Sequence, residues 1–289
     1  MPAAQGLKTR IRSVKNTGKI TGAMQLVAAS KMRRAIDATV ASDPYVQASN
    51  ELLTYLASQG ATKRHPSFVT RPVKARLVIV IASDKGLAGA YNTNVLKAVT
   101  RELIADRKAG ITSEIIAVGR RAASFVTRLR DAKVVGVYED LPDKPSGSQV
   151  YAILETLESR FTSGDVDAVD LVYTDFISSL RQEVRVQRIL PAGFTEVAVS
   201  ESIREAEYEP SLEEVLDAVT SRLVGAQLFQ ALLDARASEH SMRMVAMKNA
   251  TDNAHDLADD LTLEMNKARQ SAITQELAEI SGGVEALAE

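Results

Sequence analysis

Apolar residues return about every 3.5 positions through the first part of the chain. Leu7, Ile11, Val14, Ile20, Met24 and Val27, then Leu52, Leu53 and Leu56, predict a helix over residues 3–58. Gly18 and Gly22 interrupt the pattern and weaken the helix by about 1 kcal/mol each against alanine. Pro44, after Ser42 and Asp43, either kinks this helix or opens a second one. The turn-rich stretch GATKRHPSFVTRP, 60–72, then breaks the pattern.

Over 73–195 the pattern alternates. RLVIVIAS (76–83) is a continuous apolar run, as a strand buried on both faces requires. A helical stretch at 92–108 follows, then EIIAVG (114–119), a helix near 120–130, AKVVGVYE (132–139), a helix near 147–163 and DLVYTDFIS (170–178). EVRVQRIL (183–190) closes the series and can pair antiparallel. This order predicts an inserted Rossmann-like α/β domain with a mostly parallel sheet.

Residues 196–209 are acidic and irregular. From Pro210 to about Leu287 no proline follows, and Leu212, Val215, Leu216, Val219, Leu223, then Leu257, Leu261, Ala268 and Ala272, keep helical spacing. An unbroken helix here is about 110 Å long at 1.5 Å per residue, and needs a partner along its length. The terminal regions therefore predict one antiparallel coiled coil. Its arms are residues 1–59 and 210–287, about 55 and 75 residues of helix, with 73–195 inserted between them. The longer arm then protrudes by about 20 residues. On that overhang Ile273, Leu277, Ile280, Val284 and Leu287 form one apolar stripe with no partner inside the chain. It calls for an apolar socket in another protein.

Charge adds an orientation. Residues 1–36 carry eight basic residues and no acid, whereas residues 252–289 carry nine acids against Lys267 and Arg269. Lys8, Arg10, Arg12, Lys15 and Lys19 are expected near Asp252, Asp256, Asp259 and Asp260, favouring one pairing of the arms. The basic start has the charge of a transit peptide without its serine richness, and its pattern continues into a long helix. A DNA-binding arm is another reading, but the net charge of −2 gives no overall bias toward nucleic acid. The chain has 289 residues, 45% hydrophobic and 25% charged, ordinary for a globular protein. It has no cysteine, which excludes disulfides and thiolate metal sites. It has no tryptophan and few aromatics, so large stacking platforms are not expected. No apolar run reaches the roughly 18 residues of a membrane span.

Little in the pattern points to catalysis. His65, His240 and His255 show no metal-ligand spacing. SDKGLAGAYN (83–92) lies between a strand and a helix, where phosphate loops sit. Its glycines are spaced G-x-x-G, however, and Asp84 and Lys85 read equally well as turn and cap residues. Glu213–Glu214 and Asp259–Asp260 read as solvated helix faces. No cofactor is expected.

GLKTRIRSVKNTGKITGAMQLVAASKMRRA, SDKGLAGAYN, SEHSMRMVAMKNATDNA and NKARQSAITQELAEISGG, in that order, resemble the γ subunits of F-type ATP synthases. The resemblance implies a non-catalytic central rotor shaft. One copy stands inside a ring of three α and three β subunits. Its other end binds the ε subunit and the membrane ring of c subunits, and membrane association comes only through those partners. Proton-driven rotation of the c ring turns the shaft and drives the nucleotide sites on β. By motif, Met24, Arg243, Arg269, Gln270, Thr274 and Glu276 resemble residues that meet the α/β ring. Met24 has a second reading in the coiled-coil core, and Arg269 as a solvated charge. Ile273, Leu277, Ile280 and Val284 are expected to form the bearing. Tyr208 and Glu209 resemble the foot facing the c ring and ε. The absence of cysteine excludes thiol regulation, and the expected place is the cytoplasmic face of a bacterial membrane. The competing readings are a coiled-coil scaffold with an α/β head and an α/β enzyme holding phosphate at SDKGLAGAYN.

Overall fold

The computed structural model describes residues 2–288 apart from 64, 130, 131, 143–146, 195, 205, 207, 208 and 210. The side chains of 2–4, 42, 43, 45, 147, 148, 276, 279 and 282–288 are also outside the description. The elements are α1 (Pro2–Ser58), β1 (Ala75–Ile81), α2 (Tyr91–Ala109), β2 (Thr112–Val118), α3 (Arg120–Val126) and β3 (Lys133–Tyr138). There follow α4 (Gly147–Thr162), β4 (Ala168–Phe176), β5 (Gln182–Leu190), α5 (Glu201–Arg204) and α6 (Leu212–Ala288). Helix α1 has 57 residues and α6 has 77. Both terminal patterns are thus single helices, as expected. Pro44 neither ends α1 nor starts a new helix. It is exposed, so the carbonyl it leaves unbonded faces water. The 60–72 linker carries two short 3-10 turns, Ala61–Lys63 and Pro66–Phe68. In the irregular 196–209 stretch, Glu201–Arg204 forms one helical turn.

The chain divides into two compact units, one of residues 29–242 and one joining the first 28 residues to those from Arg243 onward. In the first, five strands lie in the order β3-β2-β1-β4-β5. Neighbours pair parallel except β4 and β5, which are antiparallel. The apolar run of β1 divides by the two-residue period of a strand. Leu77, Ile79 and Ile81 face a core built with Ile153, Leu157 and Phe161 of α4 and Leu228, Ala231 and Leu232 of α6. Val78, Val80 and Ala82 face Val95 and Val99 of α2 and Ala122 and Val126 of α3. Both faces of the sheet are covered, and that is why the stretch from Leu77 to Ala82 has no polar residue to mark a solvent side. A third cluster joins Leu53 and Leu56 of α1 to Leu216 and Leu223 of α6.

One buried ion network braces the sheet. Arg76 of β1 pairs with Glu102, Asp106 and Asp170, and Arg188 of β5 closes on Asp170. Burial alone would lower the Arg76 pKa. The charge of Asp170 and the bonds to Glu102 and Asp106 outweigh it and hold the guanidinium charged more firmly than usual.

In the second unit α1 and α6 run antiparallel. A Cβ at Gly18 would stand 3.3 Å from Ala254 Cβ, and the nearest neighbour of Gly22 is Thr251. The Thr21 and Thr251 hydroxyls share a 2.7 Å hydrogen bond. Buried or half-buried positions recur at sevens: Ile11 and Gly18, and Val14, Thr21 and Ala28, against Met247, Ala254 and Leu261, and Thr251 and Ala258. This corrects the expected seam. Ile20 and Val27, read as inward from their hydrophobicity, are 61% and 56% exposed, and Leu257 is exposed as well. Small residues take the seam because they let the two backbones approach closely, which glycine at 18 and 22 permits. The register sets residues 8–19 alongside 252–260, as expected, but their charges form no close pairs. Among the described residues no ion pair joins Lys8, Arg10, Arg12, Lys15 or Lys19 to Asp252, Asp256, Asp259 or Asp260. All nine are exposed, so water solvates each charge at less entropic cost than a fixed pair.

Candidate functional site

Extending the register of Gly18 on Ala254 brings Pro2 opposite about residue 270. Beyond that point α6 continues to Ala288, and no described residue of α1 lies opposite it. Along this overhang Ile273, Leu277 and Ile280 are 44%, 60% and 65% exposed. Arg269, Gln270 and Thr274 are exposed beside them, and the Thr274 hydroxyl bonds back to Gln270 O at 3.0 Å. The helix spacing thus gathers six of the expected contact residues onto the last turns of one helix. The side chains of Glu276 and Val284 lie outside the described residues.

Met24 sits on α1 in the same unit, half buried beside the seam. Arg243 is buried and partnered. It is 9% exposed, whereas Arg269 is exposed. Glu209 is exposed in a bend, and Tyr208 lies outside the described residues. The exposed apolar side chains Ile20, Leu26 and Val27 of α1 and Leu257 and Leu263 of α6 were missed as candidate contacts. Their signal was present: positions 11 and 18, and 14, 21 and 28, already satisfy a seven-residue repeat, which leaves Ile20, Leu26 and Val27 outside it.

The SDKGLAGAYN loop leaves the carboxyl end of β1 between β2 and β4, the switch point where open α/β sheets commonly hold ligands. Protein fills that place here. Ser83 N–H donates to Asn92 Oδ1 at 3.0 Å, and Ser83 Oγ donates to Lys85 O at 2.6 Å. Asp84 Oδ1 accepts the backbone N–H groups of Arg120 and Asp140, each at 3.1 Å. Its Oδ2 accepts from Arg236 of α6 at 3.1 Å. Burial would raise the Asp84 pKa, but these donors outweigh it and hold the carboxyl below the ordinary aspartate range. Around Arg236, α6 is buried on nearly every face from Ala231 to Ser241. The side chains of Ser83, Asp84 and Asn92 are bonded to protein, which argues against their cradling a phosphate. Among the described residues no cluster of His, Cys, Asp or Glu is arranged to hold a metal.

The comparisons agree with this architecture. A family model described as ATP synthase matches residues 3–287. The chain is 41% identical to the ATP synthase gamma chain of Macrococcus caseolyticus, covering 99% of this chain and 100% of that one. It is 40% identical to the ATP synthase gamma chain of Ralstonia nicotianae at the same coverage. Among solved structures it resembles a chain of the Tetrahymena thermophila mitochondrial ATP synthase central stalk and c-ring. That match has a TM-score of 0.63 and 26% identity, over 80% of this chain and 99% of that one. A chain of the Euglena gracilis mitochondrial ATP synthase shares the fold, with a TM-score of 0.70 at 17% identity over 99% and 95%. On the length and level of these matches, the chain belongs to the ATP synthase gamma chain family.

Proposed function

We propose that this chain is the central rotor shaft of a proton-translocating F-type ATP synthase, one copy per complex. Rotation of a membrane c ring turns it, and its asymmetry drives the nucleotide sites of a surrounding α/β ring through different affinities. It supplies no catalytic group; synthesis and hydrolysis take place on β. The observation that carries the reading is the end of α6: an apolar stripe exposed on a helix that continues past its partner. Exposed apolar surface of this kind marks a protein contact. An apolar tip suits a bearing, because apolar contact has no preferred direction and offers little resistance to turning.

The contact residues that go with the reading are Met24, Arg243, Arg269, Gln270, Thr274 and Glu276 toward the α/β ring, with Ile273, Leu277, Ile280 and Val284 as bearing. Tyr208 and Glu209 belong to the foot toward the c ring and ε. The domain organisation is a discontinuous shaft, 1–59 with 210–287, carrying an α/β domain at 73–195. No helix among the described residues is long and apolar enough to cross a membrane. The chain sits at the cytoplasmic face of a bacterial membrane through its partners.

The test is reconstitution of the full chain with α and β subunits of the same organism. A complex of three α, three β and one copy of this chain, hydrolysing ATP faster than α and β alone, is the expected result. Self-association of this chain with no such complex would instead favour a scaffold.

A further inference from the structure

Asp84 joins four parts of the chain. Its own loop follows β1, Arg120 follows β2, Asp140 follows β3, and Arg236 belongs to α6. Arg236 in turn donates to Leu141 O at 2.7 Å and to Glu239 Oε2 at 2.9 Å. Farther along α6, Ser241 Oγ donates to Ser179 O at 2.7 Å and accepts from Gln182 Nε2 at 3.1 Å, tying down the β4–β5 turn. Apolar side chains such as Leu228, Ala231 and Leu232 also pack α6 against the sheet. Apolar packing holds two surfaces together but resists sliding and rolling only through shape. A charge-assisted bond has a direction, and this one is shielded from water, with the Arg236 and Asp84 side chains only 12% and 10% exposed.

We propose that Asp84 and Arg236 form a torque clamp, a positioning pair that stops α6 rolling about its own axis against the sheet when the α/β unit is turned. The clamp rests on the shaft reading above. It gives the SDKGLAGAYN loop a mechanical purpose in place of a ligand-binding one. Turning force applied to the α/β unit reaches α6 through three loops gathered on one carboxylate and one guanidinium.

The test compares wild type, D84N, R236Q and R236K in complete complexes reconstituted into vesicles. ATP hydrolysis and ATP-driven proton uptake are read on the same preparation. D84N keeps an acceptor oxygen for the two backbone N–H groups and removes the charge facing Arg236, so its loop is expected to fold. In D84N and R236Q we expect hydrolysis within about twofold of wild type and proton uptake per ATP reduced about threefold or more, with R236K retaining most of it. A purely structural role would lower hydrolysis and uptake together, and that result overturns the clamp. So do unchanged uptake per ATP in D84N and R236Q, an R236K as impaired as R236Q, and a D84N chain that fails to assemble. If the wild-type complex neither hydrolyses nor pumps, the shaft reading itself has failed, and the clamp with it.

Discussion

Asp170 shows how much one side chain can hold. It is buried on a central strand and accepts from both Arg76 and Arg188. Removing it leaves the buried Arg76 guanidinium short of one of its counter-charges, while the exposed Arg188 can turn to water. D170A is expected to lose about 3–5 kcal/mol, read as a lower urea midpoint for the isolated chain. Gly119 is equally constrained, by space. Its φ is +91°, and a Cβ there would stand 2.2 Å from Ala82 O, so even G119A should fail to fold normally by circular dichroism. Asp84 gives a pH signature. Its pKa is lower folded than unfolded, so its stabilising contribution is fully present above the ordinary value of 3.8 and is lost as pH falls through the lowered one. D84N should be less stable than wild type by about 1–3 kcal/mol at neutral pH, with the gap closing below about pH 3.8 in acid unfolding curves.

Between helices the governing quantity is distance. The α1–α6 seam near Gly18 is close because its residues are small, and the threonine pair at 21 and 251 satisfies its hydroxyls across it. G18A sets a gain in helix propensity against a 3.3 Å contact that is tighter than ordinary, and is expected within about 1 kcal/mol of wild type. G18L must force the helices apart or distort a rotamer, and should cost about 1–3 kcal/mol. Thermal melting of the isolated chain distinguishes the two. The strands obey a different rule. Their side chains alternate between two covered faces, so the sheet was readable from runs such as RLVIVIAS even though its neighbours in space come from distant parts of the sequence.

For the assembled machine the telling experiment separates folding from function. Changing Ile273, Leu277 and Ile280 together to serine touches only side chains that are already exposed. The stability of the isolated chain should stay within about 0.5 kcal/mol of wild type. Coupled ATP synthesis in the reconstituted complex should fall, since the bearing then offers polar groups to an apolar socket. Truncation from Ala272 onward is the stronger form of the same change. Full coupled synthesis by that truncated chain would refute the bearing.

The order of elements, the two long helices and the unpaired apolar tip were legible in the sequence. Each follows from a local period or from a length that nothing else in the chain can match. The seam was only partly legible: hydrophobicity ranks Ile20 and Val27 above Gly18, Thr21 and Ala28, yet the tertiary structure buries the small residues and exposes the large ones. Close approach rewards lack of volume, which no hydrophobic scale records. The opposite charges of the two ends pointed to pairs that do not form, because exposed charges lose little by remaining in water. Asp84 and Arg236 were invisible as partners for the reverse reason. They stand 152 positions apart, and only the crossing of α6 over the carboxyl edge of the sheet brings them together. The chain's local periodicity decided which segments became helix and strand. Which face of each met a partner was decided by volume and distance, quantities that exist only once the elements have packed.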